Sequence, residues 1–331
     1  MNKMRTMILS FVLQMVCCML YAQPSSISPK EYQAMLGKGF DVDWWGRKEK
    51  SKIGEYSAIA VGEFAKKGIK NVRIRLHHYD FTSDDFKRLD EQISTCLQSG
   101  IVPIVAFSAK PYKENPTKRE HKRVVTWWKN MAEHCKSLSP MVSFDLVIEP
   151  SDLLKKDVSE LNLLYEDCVS VIRKTNPTRI IFIAPNKLSN PEGLKYLKLP
   201  TESNGFLMAE WHFYAAGPSK TNENKLWTTG TDKEKNILLK QIKMATDWQS
   251  KTGVLTWVGA WMPGNYNKGD DYRLTEQMAF SSFMSKELSK LGIPFSINAD
   301  KHFYDYRKEK WIEEKLPLLD TIFGDKLNGA F

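Results

Sequence analysis

Short apolar runs alternate along the chain with longer segments in which apolar residues recur every three or four positions. The short runs are Gly39–Asp43, Asn71–His77, Ile101–Phe107, Val142–Ile148, Arg179–Ala184, Phe206–His212, Val254–Ala260 and Pro294–Asn298. Runs of this length bounded by turn residues read as buried strands. The longer segments, Phe86–Cys96, Val124–Cys135, Leu161–Ile172, Asn236–Trp248 and Leu274–Leu288, carry a helical period with one apolar face. Turn signals at Gly68, Gly100, Asn176-Pro177, Gly253 and Gly292 separate them. Eight strands interleaved with helices predict an α/β chain folded as a single (β/α)8 TIM barrel. The longest connections, Ser108–Glu120, Ala215–Thr231 and Trp261–Tyr272, all follow a strand, which places them on the C-terminal face where such barrels build their sites.

The first residues follow a different pattern. Lys3 and Arg5 precede an apolar stretch from Met7 to Leu20, followed by Tyr21-Ala22-Gln23 and a polar run. This is the layout of a signal peptide over residues 1–22, cleaved after Ala22, with a lead-in over 23–38 and the barrel over 39–331. A secreted or periplasmic protein is expected. Lipoprotein anchoring at Cys17 or Cys18 is disfavoured because no small-residue box precedes them. No later apolar run is long enough to span a bilayer.

Composition adds little to this picture. With 331 residues and 42% hydrophobic, the chain can bury one large core. The net charge of +9 admits an acidic glycan as substrate, but Lys and Glu are interspersed and no basic helix or recognition module points to nucleic acid. Beyond the leader, Cys96, Cys135 and Cys168 are an odd number without metal spacing, so free buried thiols are expected. Six His without ligand spacing predict no metal, and nothing implies a cofactor. A monomer is expected.

Several pieces together carry a resemblance: Gly68-Ile69-Lys70-Asn71-Val72-Arg73-Ile74, the strand from Phe144 to Pro150, Thr175-Asn176-Pro177-Thr178-Arg179-Ile180-Ile181, His212-Phe213-Tyr214, and Asn265-Tyr266-Asn267-Lys268-Gly269-Asp270. In this order they make the chain, from Gly39 to Phe323, resemble glycoside hydrolase family 5, the cellulase-type retaining hydrolases. The family needs two glutamates about 5 Å apart, one to protonate the leaving oxygen and one to attack the anomeric carbon. The resemblance implies Glu149 as the acid/base, Arg73 as a substrate contact, and His212 and Tyr214 flanking the cleavage point. The nucleophile's Gly-Glu-Phe pattern reads Gly259-Ala260-Trp261 here. Ile148 stands where the family has Asn, Ser108 and Ala109 where it has paired His, and Asp300 near its floor aromatic. An alanine cannot form a glycosyl-enzyme.

Three readings follow. One is cleavage of glycosidic bonds in a polysaccharide or oligosaccharide with Glu149 as proton donor and a relocated second carboxylate. Glu210, two residues from His212 on one strand and so facing the same way, is a candidate, with Asp300 and Asp43 as others. Glu210 has a competing reading as a structural acid paired to Arg73 or Arg75. The second is a lyase on a uronate glycan, using Tyr214, His212, His77 and the arginines. The third is an inactive glycan binder in which the indoles of Trp44, Trp45, Trp211 and Trp261 stack on sugar rings, with core packing as the competing reading of each.

Overall fold

The computed structural model describes residues 26–45, 55–214, 227–264 and 272–324. Eight parallel strands close into a barrel in sequence order: β1 Lys38–Val42, β2 Asn71–Leu76, β3 Val102–Phe107, β4 Ser143–Asp145, β5 Ile181–Ile183, β6 Leu207–Tyr214, β7 Thr256–Met262 and β8 Phe295–Asn298. The principal helices are α1 Pro29–Leu36, α2 Ala58–Lys66, α3 Ser83–Gln98, α4 Lys118–Cys135, α5 Val158–Arg173, α6 Asp232–Thr252, α7 Leu274–Lys290 and α8 Leu316–Phe323. Capping boxes start α1 at Ser28, α3 at Thr82 and α6 at Thr231, each giving an otherwise orphaned backbone N–H a side-chain acceptor. Among the described residues no helix is long and apolar enough to cross a membrane. Cys96, Cys135 and Cys168 are buried free thiols.

All eight expected strands and five expected helices are present; the ends differ. The chain leaves the sheet after Asp145 rather than at Ile148, although Ile148 N–H still reaches the Phe107 carbonyl at 3.0 Å. Strands β6 and β7 run further than their apolar patterns suggest, and Trp261 lies inside β7. Between β5 and β6 there is no long helix, only short helical turns at Asn186–Ser189, Pro191–Tyr196 and Thr201–Ser203.

The barrel interior is layered. At the N-terminal end Trp257, Phe182, Met208, Ile104, Val102 and Ile180 meet Ile27, Tyr32 and Leu36 of the lead-in, which plugs the bottom. The Tyr32 hydroxyl donates to the Met141 carbonyl at 2.9 Å, which satisfies the buried phenol. The Thr175–Ile181 segment also belongs to this lower face: Arg179 donates to the carbonyls of Cys135, Leu138, Ser139 and Val142, and Arg173 to those of Asn176, Arg179, Glu202, Ser203 and Phe206. That motif is a bracket for loop backbone and is remote from the barrel mouth.

Candidate active site

Directly above the aromatic plug lies a layer of charge. Asp41 and Arg73 are register partners on β1 and β2. Arg73 donates Nε and Nη2 to the two oxygens of Asp41 at 2.9 and 3.0 Å, and Nη1 to Glu210 at 2.8 Å and Asp145 at 3.2 Å. Its guanidinium sits 5.7 Å from the Trp257 ring centre. Burial opposes the charge on Arg73, but Asp41 and Glu210 more than compensate and hold it firmly protonated. Asp145 is driven the other way: burial, reinforced by the Glu210 carboxylate, raises its pKa well above the usual carboxylate range.

His212 is the next step toward solvent. Its Nε2 lies 2.8 Å from Glu210 Oε2, and its Nδ1 lies 3.1 Å from Glu149 Oε1. Burial disfavours the imidazolium, yet Glu210 and Glu149 outweigh it and push the His212 pKa up to about 8. Glu149 itself is about 21% exposed while His212, Glu210, Asp145 and Arg73 are essentially closed off. Glu149 has φ +49°, a left-handed backbone that costs a non-glycine residue about 1–3 kcal/mol. Lys113, buried behind it, donates its ammonium to the carbonyls of Ile148 at 2.8 Å and Glu149 at 3.3 Å and so holds the turn.

On the opposite wall the register slips: Trp211 pairs with Val258, but His212 with Ala260. Gly259 is therefore the extra residue of a bulge. A Cβ on Gly259 would overlap the Glu210 carboxylate and come within 3.0 Å of both Arg73 Nη1 and His212 Nε2. Only glycine leaves room for this charge layer. Ala260, paired with His212, faces inward at the same level and is buried beside Met262.

A second cluster lines the mouth at β1 and β8. Asp43 lies 3.6 Å from His77, 3.5 Å from Lys301 and 3.8 Å from Arg75, and His77 keeps modest exposure there.

Several sequence expectations are corrected by these positions. Trp261 points into the helix layer, with ring centres of Phe280 and Phe295 at 5.6 and 5.4 Å, and has no exposed face for a sugar. Trp45 is equally buried: it donates to Gln92 at 2.8 Å and carries the Arg88 guanidinium over its ring. Arg73 spends its donors on acids and reaches no surface, so it is not a substrate contact. Glu210 does face the same way as His212 but below it, fully enclosed and bound to Arg73, where it has no surface to offer a glycan. Asp300 is enclosed too: it accepts a hydrogen bond from Tyr306, which accepts one from Trp44 at 2.8 Å, and burial pushes its pKa up to about 6. The side chain of Tyr214 and the Asn265–Asp270 segment lie outside the described residues.

Asp41, Asp145, Lys113 and Ser189, whose Oγ donates to Glu210 Oε1 at 3.2 Å, belong to the site and were not among the residues the sequence singled out. The two aspartates had a signal, a charged residue inside an otherwise apolar strand run, because such a residue must find a buried partner. Lys113 had none; it comes from the connection after β3 and acts on backbone.

Among the described residues, the result is a closed (β/α)8 barrel with Glu149 at the mouth, braced from below by a buried network of acids around Arg73. The Cellulase (glycosyl hydrolase family 5) model matches residues 33–297, and the chain belongs to that family. Endoglucanase H of Acetivibrio thermocellus is 22% identical over 252 residues, covering 72% of this chain and 27% of that protein. Endoglucanase C of the same organism is 26% identical over 108 residues, 33% of this chain and 29% of that protein. The chain thus matches under a third of the length of these relatives. The Thermotoga maritima endoglucanase Cel5A superposes with a TM-score of 0.78 at 20% identity, over 89% of this chain and all of that one. The cellulose synthase subunit Z of Clostridioides difficile superposes with a TM-score of 0.74 at 20% identity, over 87% and 99%.

Proposed function

We propose that this chain is a secreted glycoside hydrolase that cleaves glycosidic bonds of a polysaccharide or oligosaccharide, with Glu149 as proton donor and without a glycosyl-enzyme at Ala260. The observation that carries the reading is the position of Glu149: a carboxyl group at the open end of β4, in contact with solvent, oriented by His212 and by a clamped backbone. Preorganised orientation of this kind is what general acid catalysis requires. His212 acts through Glu149, since its ring is itself enclosed. The family membership and the endoglucanase relatives support a β-glucan-type chain as the first substrate to try, and Lys301 and His77 around Asp43 at the mouth keep acidic glycans in the panel.

A second reading, a glycan binder without turnover, is favoured by one observation. Of the other acids described around the charge layer, Asp41, Asp145, Glu210 and Asp300 are enclosed and committed to a partner, and Asp43 at the mouth is ringed by His77, Lys301 and Arg75. A panel of neutral and acidic polysaccharides, assayed for reducing ends and for ultraviolet absorbance of unsaturated uronates, separates the two. Reducing ends without absorbance are the expected result. Absorbance would replace hydrolysis with elimination, and binding with neither signal would establish the binder.

The alanine at the nucleophile position gives a sharper test. Ala260 shares the level of His212 on the inner wall. Ala260→Glu is expected to raise cleavage by at least about tenfold and to give products that retain the anomeric configuration. A folded variant with an unchanged rate and unchanged stereochemistry would remove Ala260 from this role.

A further inference from the structure

The buried acid beneath His212 has a geometry that structural pairing with Arg73 does not use up. Glu210 Oε1 accepts from Ser189 Oγ at 3.2 Å, while Oε2 lies 2.8 Å from both Arg73 Nη1 and His212 Nε2. His212 thus has a carboxylate oxygen at hydrogen-bond distance from each ring nitrogen. A neutral imidazole carries one N–H, so one of these two contacts would set a ring lone pair against a carboxylate lone pair. With both carboxylates ionised only the doubly protonated ring satisfies both; with Glu149 protonated, a neutral ring with its hydrogen on Nε2 does so too, and in either state Nε2 keeps its proton against Glu210. The competing arrangement, with Arg73 Nη1 donating to Nε2 across 3.2 Å, would leave the shorter Nε2–Glu210 contact repulsive.

We propose that Glu210 is a positioning residue: it retains a proton on His212 Nε2, so that Nδ1–H is free to donate to Glu149 and to replenish the proton Glu149 delivers. The step rests on the role of Glu149 argued above. When the leaving oxygen takes its proton from Glu149, the Glu149 O–H bond and the glycosidic C–O bond break as the new O–H bond forms; His212 gives its Nδ1 proton to the Glu149 carboxylate and becomes neutral with Nε2–H still held by Glu210, and the proton released when water adds to the anomeric carbon restores the cationic ring. Among the described residues, the titratable and charged groups facing His212 are Arg73 from β2, Asp145 from β4, Glu149 just beyond β4 and Glu210 on its own strand. From β7 come Gly259 and Ala260, neither titratable. The raised pKa of His212 agrees with this arrangement: the ring is doubly protonated below about pH 8 and gives up a proton as pH rises through that value.

The test is a nitrogen and proton NMR titration of the histidine rings in the full chain, with the His212 signals assigned by their loss in His212→Gln. Two ring N–H protons at pH 7, becoming one near pH 8, are expected for the native protein. Glu210→Gln should lower that midpoint by about one unit or more, and the alkaline limb of the rate profile should move with it. A purely structural Glu210 would lower the rate at every pH and leave the limb in place. A single ring N–H in native protein at pH 7, or an unmoved midpoint in folded Glu210→Gln, overturns the proposal. Should Glu210→Gln fail to fold, Glu210→Asp keeps the charge for Arg73 with a shorter reach, and the same fall in midpoint is required of it. Two ring protons in a protein that cleaves no glycan would refute the hydrolase reading and the replenishing step with it, and leave standing only the hold of Glu210 on the Nε2 proton of His212.

Discussion

Glu149→Gln is expected to leave the barrel folded and to lower glycosidic-bond cleavage by about 10²–10⁴-fold, the usual contribution of a positioned general acid. The amide is isosteric and can still face His212 Nδ1, now 3.1 Å from Oε1 in the native chain. What it cannot do is deliver a proton. The measurement is initial rate by reducing ends on the best substrate of the panel, with thermal unfolding as the control for folding. Glycan affinity should survive, because the side chain is one polar contact at the mouth. A variant within threefold of the native rate would show that protonation comes from elsewhere, and attention would move to the Asp43, His77 and Lys301 cluster.

Arg73→Met is expected to be the most damaging single change to stability. It removes the one cation bonded to Asp41, Asp145 and Glu210 at once, all three enclosed. Breaking a buried ion pair from one side costs about 3–5 kcal/mol because the partner is left charged and unsolvated, and that is a large share of ordinary domain stability. The pH dependence follows from the same physics. In the variant Asp41 keeps Arg75 at 3.3 Å and Glu210 keeps His212, but the acids that lose Arg73 hold protons more readily when folded than when unfolded, so unfolding is favoured increasingly as pH rises above about 4, where exposed carboxylates titrate. Denaturant unfolding should therefore show a smaller loss at pH 5 than at pH 8. Arg73→Lys, with a charge but no fork, should fall between the two. A loss below about 1 kcal/mol at pH 8 would mean the charge layer relaxes into solvent.

Much of the architecture is legible in the amino-acid sequence. Strand and helix periods are local properties, set by which side chains must leave water, and eight such alternations admit few closed arrangements. The approximate place of Glu149 and His212 followed as well, since the C-terminal ends of parallel strands converge on one face. Glu210 facing the same way as His212 is a consequence of two-residue strand spacing.

Depth was not legible. Trp45 and Trp261 sit just at or beyond predicted strand ends, where either solvent or the helix layer can receive an indole. The decision came from Gln92 and Arg88 on α3 in one case and from Phe280 on α7 in the other. Arg73 looked like a sugar contact, and three acids on three other strands made it a counterion. No window of sequence holds those partners together.

The chain by itself therefore determined the barrel, the order of its strands and the end at which a site is built, because periodicity and turn chemistry act over a few residues. Only the tertiary structure decided which charges are exposed and which are structural. The Arg73 layer, the Lys113 clamp on Glu149 and the space left at Gly259 for Glu210 all depend on contacts between residues distant in sequence. Their energies are those of buried charge, which depend on every neighbour within a few ångströms and on no local pattern.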